Sequence, residues 1–244
     1  MSSQETTRRL ALVGYGKMGR MLENLAPELG FEVGLKLDEF NNIDGAGVTA
    51  ENFDGIDVAI DFSIPPVVAD NAEKLASVGV NVVIGTTGWL DQLARVQAAV
   101  ERDNIGLVHG ANFSVGVQVF YRIVQEAAAV LANEADYDAW AYEIHHKMKK
   151  DAPSGTLLRL VEKMREAGYS RNIDQASNRA GSVPGSHQVG FDSEADTIQL
   201  IHTARSREGF ARGALRAARW VIGRKGLYEF STVWDQMEGA PSAG

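Results

Sequence analysis

The sequence of 244 residues contains no cysteine, and this absence excludes several kinds of site at once. Without thiols there is no disulfide framework, no cysteine-ligated metal and no cysteine nucleophile. Dehydrogenases that form a thioester on an active-site cysteine are excluded for the same reason. No apolar run approaches the roughly 18 residues that cross a bilayer. The apolar run at 10–13 is too short for a signal peptide. We therefore expect a cytoplasmic protein with no membrane partner.

Positive charge is also scarce, because 24 lysines and arginines face 32 aspartates and glutamates, for a formal net charge of -8. Nucleic acid is not expected as a partner, since phosphate-backbone binding needs a broad basic surface. Common catalytic motifs are missing as well. The sequence has no Tyr-x-x-x-Lys and no phosphate-binding G-x-x-x-x-G-K-[ST]. It has no histidine and carboxylate set at zinc spacing either, so no metal site is predicted.

What the first half does contain is a regular alternation of strand-like and helical patterns. Apolar runs typical of buried strands lie at 10–13, 31–37, 56–60, 80–84 and 105–109. This alternation predicts an N-terminal Rossmann-like domain of the α/β class, with a doubly wound parallel sheet. A complete G-x-G-x-x-G follows the first run, and its glycines let the backbone approach a pyrophosphate. The motif consists of Gly14, Tyr15, Gly16, Lys17, Met18 and Gly19.

The choice of nucleotide stays open in the sequence. Asp38 follows the second predicted strand, where an acid commonly holds the adenosine ribose. Its carboxylate would repel the 2′-phosphate of NADPH, whereas an ammonium at Lys36 would attract it. Ligands of doubly wound sheets bind at the carboxyl ends of the strands, so the other turns at those ends are candidate cofactor contacts. These candidates are Phe62, Gly85, Thr86, Thr87, Ala111, Asn112, Phe113 and Ser114.

The second half has a different pattern, which predicts a second α+β domain with an open mixed sheet. A long helix is predicted over 115–133, and strands over 137–144, 188–191 and 197–204, with a further strand near 179–181. A helix predicted over 210–222 follows. We expect a dinucleotide-binding domain comprising 1–113 and 206–244, and a substrate-binding and oligomerisation domain comprising 114–205.

The most informative segment, Glu143–Thr156, reads EIHHKMKKDAPSGT. It places two adjacent imidazoles and three ammonium groups before a Pro-Ser-Gly-Thr turn, which opens a predicted helix. Free N–H groups at a helix start bind anions, and lysine and histidine beside them can supply protons. A small anion, such as a bound carboxylate substrate, is therefore the expected partner. The alternative is a solvated basic loop with no ligand.

This segment resembles the signature of the dihydrodipicolinate reductases, enzymes of diaminopimelate and lysine biosynthesis. The sequences at 60–63, 83–88 and 111–117 resemble further motifs of that family, in the same order. The resemblance implies an NAD(P)H-dependent oxidoreductase, with NADH and/or NADPH as cofactor and no metal. Its reaction would be the reduction of dehydrated 4-hydroxy-tetrahydrodipicolinate to tetrahydrodipicolinate. A homotetramer is implied as well.

The resemblance also implies roles for single residues. Lys149 matches the family's proton donor, and His145 matches its first histidine, a proton donor or acceptor. Substrate contacts are implied for His146, Ser154, Gly155 and Thr156, with Thr87 joining them from the first half. Two other interpretations are a nicotinamide-dependent oxidoreductase of another small dicarboxylate and a redox sensor that binds NADH without turnover. The sensor would have no need of the His-His-x-x-Lys sequence.

Overall fold

The computed structural model describes residues 7–237, which fall into two compact units. Unit 1 lies within Met1–Ser114 and Phe210–Gly244, and unit 2 is Val115–Gly209. This division is close to the domain boundaries predicted at 113/114 and 205/206. Residues 1–6 and 238–244 of the predicted dinucleotide-binding domain lie outside the described range. Within that range, no helix combines the length and the apolar character that a bilayer crossing requires.

The secondary structure consists of ten strands and seven helices in the described residues. The strands are β1 (Arg8–Val13), β2 (Phe31–Leu37), β3 (Val58–Asp61), β4 (Asn81–Ile84), β5 (Gly106–His109), β6 (Asp138–His145), β7 (Ile173–Arg179), β8 (Ser186–Asp192), β9 (Thr197–Thr203) and β10 (Gly226–Glu229). The helices are α1 (Lys17–Leu25), α2 (Val68–Ser77), α3 (Leu93–Asp103), α4 (Val115–Leu131), α5 (Gly155–Glu166), α6 (Glu208–Val221) and α7 (Phe230–Val233).

Unit 1 is built on one parallel sheet with the strand order β10-β5-β4-β3-β1-β2. Strands β3 and β5 are almost entirely buried, as expected for parallel strands that are covered on both faces. The predicted Rossmann-like fold is confirmed. Because all six strands run in the same direction, the turns that follow them lie at one edge of the sheet. Every predicted cofactor contact belongs to these turns or to the start of α1.

Helix α6 is fixed within unit 1 by a close approach to the turn after β5. A Cβ added at Gly213 would lie 1.7 Å from the carbonyl oxygen of Phe113, so only glycine fits there. The Phe113 ring packs on the ring of Phe230, with centroids 4.6 Å apart. The segment after Gly209 is thereby attached to the same turn that precedes α4.

Unit 2 contains a mixed four-stranded sheet with the order β7-β6-β8-β9. Strands β6 and β7 are parallel, and the other neighbours are antiparallel. Helices α4 and α5 supply apolar side chains to its core, among them Phe120, Val124 and Leu160. Strand β6 alternates buried and half-buried residues, so Glu143 and His145 lie on its buried face.

Two features of the strands differ from the sequence-based expectation. The strand predicted near 179–181 is instead β7, which ends at Arg179. Its residues are polar and mostly exposed, so no apolar alternation marks them. Strand β10 was not predicted, because it consists of only four residues, Gly226 included, before the chain turns into α7. Tertiary pairing therefore decides the state of both segments.

Candidate active site

A cavity of about 870 Å³ lies at the carboxyl edge of the unit 1 sheet. The predicted cofactor residues that line it are Gly14, Tyr15, Gly16, Asp38 and Phe62. Those that belong to the same edge but do not line this cavity are Lys17, Met18, Gly19, Gly85, Thr86, Thr87, Ala111, Asn112, Phe113 and Ser114. The structure thus gathers the front of the glycine motif, the acid after β2 and the turn after β3 around one space.

The glycines of the motif have separate physical roles. Gly14 has φ 84°, and a Cβ there would lie 2.5 Å from the backbone carbonyl of Phe62, so this turn crosses directly over the end of β3. The N–H groups of Gly14 and Tyr15 both donate to the carbonyl of Leu37, at 2.9 and 3.0 Å. At Gly16 an added Cβ would meet nothing within 4 Å. Gly16 also caps α1 without a side-chain acceptor. The start of α1 is therefore open for a phosphate.

Asp38 is fixed at the end of β2 by a local turn. Its Oδ1 accepts the backbone N–H groups of Phe40 and Asn41, at 2.9 and 3.2 Å. Its second carboxylate oxygen has no hydrogen-bond partner in the described part of the chain. Lys36 is engaged elsewhere, because its ammonium pairs with Glu23 at 3.0 Å. Asp38 lines the cavity, whereas Lys36 does not.

The turn after β3 is held by a buried acid. The Asp61 carboxylate is 1% exposed and accepts the N–H of Ser63 at 2.7 Å. Burial raises the pKa of Asp61. The ring of Phe62 lies against the neighbouring strand's turn, where a Cβ at Gly85 would come within 2.2 Å of it. Thr86 donates its hydroxyl to the carbonyl of Ser63 at 3.3 Å. Gly85 and Thr86 thus support the Phe62 turn from the side.

The last predicted cofactor turn follows β5. Asn112 accepts the N–H of Ser114 at 2.9 Å, which closes the turn. Phe113 is buried, with 2% of the residue exposed. Thr87 is exposed. Their predicted ligand contacts stay predictions.

In unit 2, the basic loop after β6 contains the predicted proton donor. The Lys149 ammonium donates to both carboxylate oxygens of Asp151, at 2.8 and 2.9 Å. Lys149 lowers the pKa of Asp151 through this hydrogen bond. The backbone of the loop is pinned by Arg179, which donates to the Asp151 carbonyl. The imidazole of His146 makes no side-chain hydrogen bond to residues 7–237. The position of the Lys149 ammonium is thus fixed by its bonds to Asp151, whereas no side-chain hydrogen bond within residues 7–237 fixes the His146 imidazole.

The start of α5 lies just after this loop. Ser154 caps the helix by accepting the N–H of Leu157 at 3.2 Å. Both donors of Ser154 are used by Glu143, with its N–H at 2.9 Å and its hydroxyl in a short hydrogen bond. Ser154 therefore has no donor left for a ligand. Gly155 is exposed, with open space where a side chain would stand, and its N–H has no partner among the residues described. Gly155 can donate to an anion at this helix start.

Thr156 and His145 are placed by buried partners. The Thr156 hydroxyl hydrogen-bonds with Tyr121, whose pKa is raised to about 12 by burial. His145 is 7% exposed and points its Nδ1 toward the Glu143 carboxylate, 3.5 Å away. Burial lowers the pKa of His145, so the imidazole is neutral at neutral pH.

The prediction missed three residues that meet at this point, namely Glu143, Arg179 and His187. Glu143 Oε1 accepts from Arg179 at 2.9 Å, and its Oε2 lies 3.4 Å from His187 Nε2. Glu143, His145 and His187 offer ligand atoms within 4.8 Å of one another, a spacing compatible with a metal ion. A cation there would displace the Ser154 hydroxyl and face the Arg179 guanidinium, so hydrogen bonds satisfy this cluster better.

One signal in the sequence points to Glu143. Residues two apart on a strand share a face, and Glu143 precedes His145 by two positions. The contribution of His187 depends on strand register, because it lies directly opposite Glu143 in the β6–β8 pair. No local pattern reveals that pairing.

Comparison with known proteins gives a consistent result. Family models described as the N-terminus and C-terminus of dihydrodipicolinate reductase match residues 8–113 and 116–234. The 4-hydroxy-tetrahydrodipicolinate reductase of Christiangramia forsetii is 34% identical over 235 residues, which cover 92% of this chain and 96% of the relative. The protein of the same name from Methanosarcina mazei is 40% identical over 193 residues, or 72% of each chain.

Solved structures resemble the chain in fold. A dipicolinate-bound dihydrodipicolinate reductase from Paenisporosarcina sp. TG-14 gives a TM-score of 0.75 at 22% identity, covering 93% of this chain and 100% of that one. An amine dehydrogenase from Mycobacterium smegmatis gives a TM-score of 0.56 at 8% identity, covering 97% and 98%. At such identities the likeness concerns the fold alone.

Proposed function

Because the chain belongs to the dihydrodipicolinate reductase family, we propose that it reduces dehydrated 4-hydroxy-tetrahydrodipicolinate to tetrahydrodipicolinate with NAD(P)H. This reaction serves diaminopimelate and lysine biosynthesis. The observation that carries the proposal is the presence of two different binding features in one chain. Unit 1 has a cavity with an uncapped glycine-rich helix start. Unit 2 has a lysine loop leading into an open helix start.

The chemistry requires one proton beyond the hydride. The reduced nicotinamide, when bound, supplies a hydride to the C=N or conjugated C=C of the substrate. The negative charge left on nitrogen or carbon must then be protonated. We assign this step to Lys149, whose ammonium uses the Asp151 carboxylate as an anchor and keeps a further N–H for the substrate. His145 serves as the second proton donor or acceptor.

The two carboxylates of the substrate need fixed donors. The exposed Gly155 N–H at the start of α5 and the positive charge of Lys149 meet that need. Thr156 and His146 complete the proposed set, and Thr87 is the member from unit 1. Ser154 contributes by capping the helix instead of donating to the substrate, because Glu143 uses both of its donors.

Within the nicotinamide nucleotides, we infer a preference for NADH. Asp38 and Glu39 both line the cavity, and a carboxylate suits ribose hydroxyls better than a 2′-phosphate. The lining has three cations: Arg20 lies over the ring of Tyr15, with its Cζ 6.0 Å from the ring centroid, and the other two are engaged by acceptors. Lys74 donates to the carbonyl of Asp44, and Arg95 pairs with Asp70 and Glu73.

Self-association as a homotetramer is part of the proposal. The sheet face of unit 2, formed by Trp140, Tyr142, Ile144 and Ile201, is the face opposite the core. Ile201 is 55% exposed, and the others are half-buried. Covering such a face between copies removes apolar area from water. Light scattering after size exclusion of the protein and of an Ile201→Lys variant tests this assembly.

The function is tested by following nicotinamide oxidation. Fresh product of pyruvate and aspartate semialdehyde condensation is offered with NADH and, separately, with NADPH. Oxidation that depends on the condensation product supports the proposal. Oxidation with another small dicarboxylate alone would favour a related oxidoreductase. Tight NADH binding without turnover of any dicarboxylate would favour a redox sensor.

A further inference from the structure

A row of polar side chains crosses the core-side face of the unit 2 sheet, from the exposed Ser177 on β7 to the half-buried His202 on β9. Strand register places Ser177 opposite Glu143, Glu143 opposite His187, and His187 opposite His202. Residues directly opposite one another in a sheet share a face. His145 lies two positions after Glu143 on that same face, and Arg179 is opposite His145. The sheet thereby concentrates an acid, a guanidinium and three imidazoles beneath the lysine loop and the start of α5.

Glu143 is at the centre of this row, and its side chain is 0% exposed. Its Oε1 accepts from the Ser154 N–H and from Arg179, both at 2.9 Å. Its Oε2 accepts the Ser154 hydroxyl and lies 3.4 Å from His187 Nε2 and 3.5 Å from His145 Nδ1. One carboxylate thus contacts the cap of the proposed anion-binding helix and the proposed proton-transfer histidine.

The carboxylate stays ionised in this setting. Burial opposes ionisation, but the hydrogen bonds from Ser154 and Arg179 outweigh it and lower the pKa of Glu143 to about 2. Burial also lowers the pKa of His145 and of His187. The cluster therefore holds one anion beside neutral imidazoles. His145 Nδ1 is buried with no hydrogen bond, and Glu143 Oε2 is a carboxylate oxygen facing it.

We propose that Glu143 is a positioning residue for the reduction, with Arg179 and His187 as its supports. It fixes Ser154, so that the first N–H groups of α5 are aimed at a substrate carboxylate. It also favours the Nδ1–H form of His145 and leaves Nε2 for proton transfer. This inference rests on the proposed function, but its central test does not need turnover.

The test uses Glu143→Gln, which keeps the size of the side chain and removes its charge. Glu162→Gln is the matched control, because Glu162 lies on α5 with a side chain that is 57% exposed and pairs with Arg159. Binding of dipicolinate, a planar dicarboxylate, and of NADH is measured by calorimetry for the whole protein. We expect Glu143→Gln to raise the dipicolinate Kd by about 10- to 100-fold, since displacement of a positioned group costs that much. The NADH Kd should change by less than about twofold, and the control should change neither.

The pH profile supplies a second readout that a purely structural role would not move. The charged and titratable groups facing His145 are Glu143, Arg179, His187, Lys149 and Asp151. Only the two acids favour its protonated form, so removing the charge of Glu143 should move the His145 limb of kcat/KM to lower pH. Glu143→Asp, which keeps the charge, should restore that limb.

Unchanged dipicolinate affinity in a folded Glu143→Gln protein, together with an unmoved pH profile, would overturn the inference. If Glu143→Gln does not fold, Ser154→Ala removes the hydroxyl hydrogen bond between Glu143 and the start of α5. It should raise the dipicolinate Kd and leave the NADH Kd unchanged. An unchanged dipicolinate Kd in Ser154→Ala would also overturn the inference. A wild-type protein that binds dipicolinate but does not turn over the condensation product contradicts the proposed function and leaves the role of Glu143 measurable.

Discussion

We expect nucleotide selectivity to depend on the charge of Asp38, which Asp38→Asn removes while keeping the shape of the turn. An asparagine oxygen can still accept the N–H groups of Phe40 and Asn41 that Oδ1 accepts now. The variant therefore tests the electrostatic effect without rebuilding the end of β2. We expect the wild type to use NADH more efficiently than NADPH, and the variant to lose most of that difference.

The magnitude follows from the distance between charges. An acid that contacts the ribose lies about 5 Å from a 2′-phosphate, and two unit charges at that distance repel by roughly 1–3 kcal/mol for effective dielectric constants of about 80 to about 20. The middle of that range, about 2 kcal/mol, corresponds to roughly 30-fold in kcat/KM. Asp38→Asn should therefore raise kcat/KM for NADPH by about 10- to 50-fold. Its value for NADH should fall only a few-fold, through the lost ribose hydrogen bond.

The assay compares kcat/KM for both nucleotides at low and high ionic strength. Because salt screens exposed charges, an increase of about tenfold in ionic strength should narrow the wild-type difference. Glu51→Gln is the control, since this exposed acid in unit 1 does not line the cavity. An NADPH-to-NADH ratio that is the same in wild type and Asp38→Asn would refute the electrostatic argument.

Three further changes address catalysis, packing and pH. Lys149→Ala should lower kcat by about 10²- to 10⁴-fold in single-turnover kinetics, with NADH binding intact. Gly213→Ala puts a Cβ 1.7 Å from a carbonyl oxygen, so it should destabilise unit 1 by about 2–4 kcal/mol in chemical denaturation. Burial lowers the pKa of His187. The unfolded chain therefore gains a proton before the folded one as pH falls below about 6.5, and thermal stability should decline there by an amount that His187→Gln reduces.

Each of these has its own control and contrary result. Lys150→Ala, an exposed neighbour, should keep its turnover, and equal loss in both lysine variants would deny Lys149 a special role. Gly223 has a φ of 79°, but a Cβ added there would meet nothing within 4 Å. Gly223→Ala should therefore lower the free energy of unfolding by only about 1–2 kcal/mol. Equal losses of stability in the two variants would mean that α6 can shift to accommodate a Cβ at Gly213 at little cost. An acid decline of the same steepness in His187→Gln would show that other groups cause it.

The fold of unit 1 was predictable because its elements carry their own signals. The buried strands β1, β3 and β4 are apolar runs, and each is followed by a helix of unit 1 with a clear apolar stripe. Helix α1 is an instructive exception, since its pattern continues to Gly30 but the helix ends at Leu25. Pro27 starts a separate turn there. Pro27 therefore makes α1 end earlier than its apolar pattern predicts, while the order of the elements stays as predicted.

Strand β7 was misplaced for the opposite reason. Its sequence, IDQASNR, has one buried residue and no apolar alternation, so its strand conformation comes from pairing with β6. That pairing matters for the site, because it brings Arg179 opposite His145. A polar edge strand leaves no trace in hydropathy, and the arginine it carries could not be linked to the histidine motif.

The predicted site residues carry a local sequence signal, whereas the missed ones depend on how the strands pair. His145, Lys149 and Gly155 belong to one continuous segment, so a motif can reveal them. His187 lies beside Glu143 only because β8 pairs antiparallel with β6 in one register. Shifting that register by one residue would turn His187 to the opposite face and replace it with Ser186 or Gln188. Neither of these could present an imidazole to Glu143. The row of polar residues therefore depends on the folded sheet, and a variant that alters β8 register while keeping the motif intact should lose dicarboxylate binding.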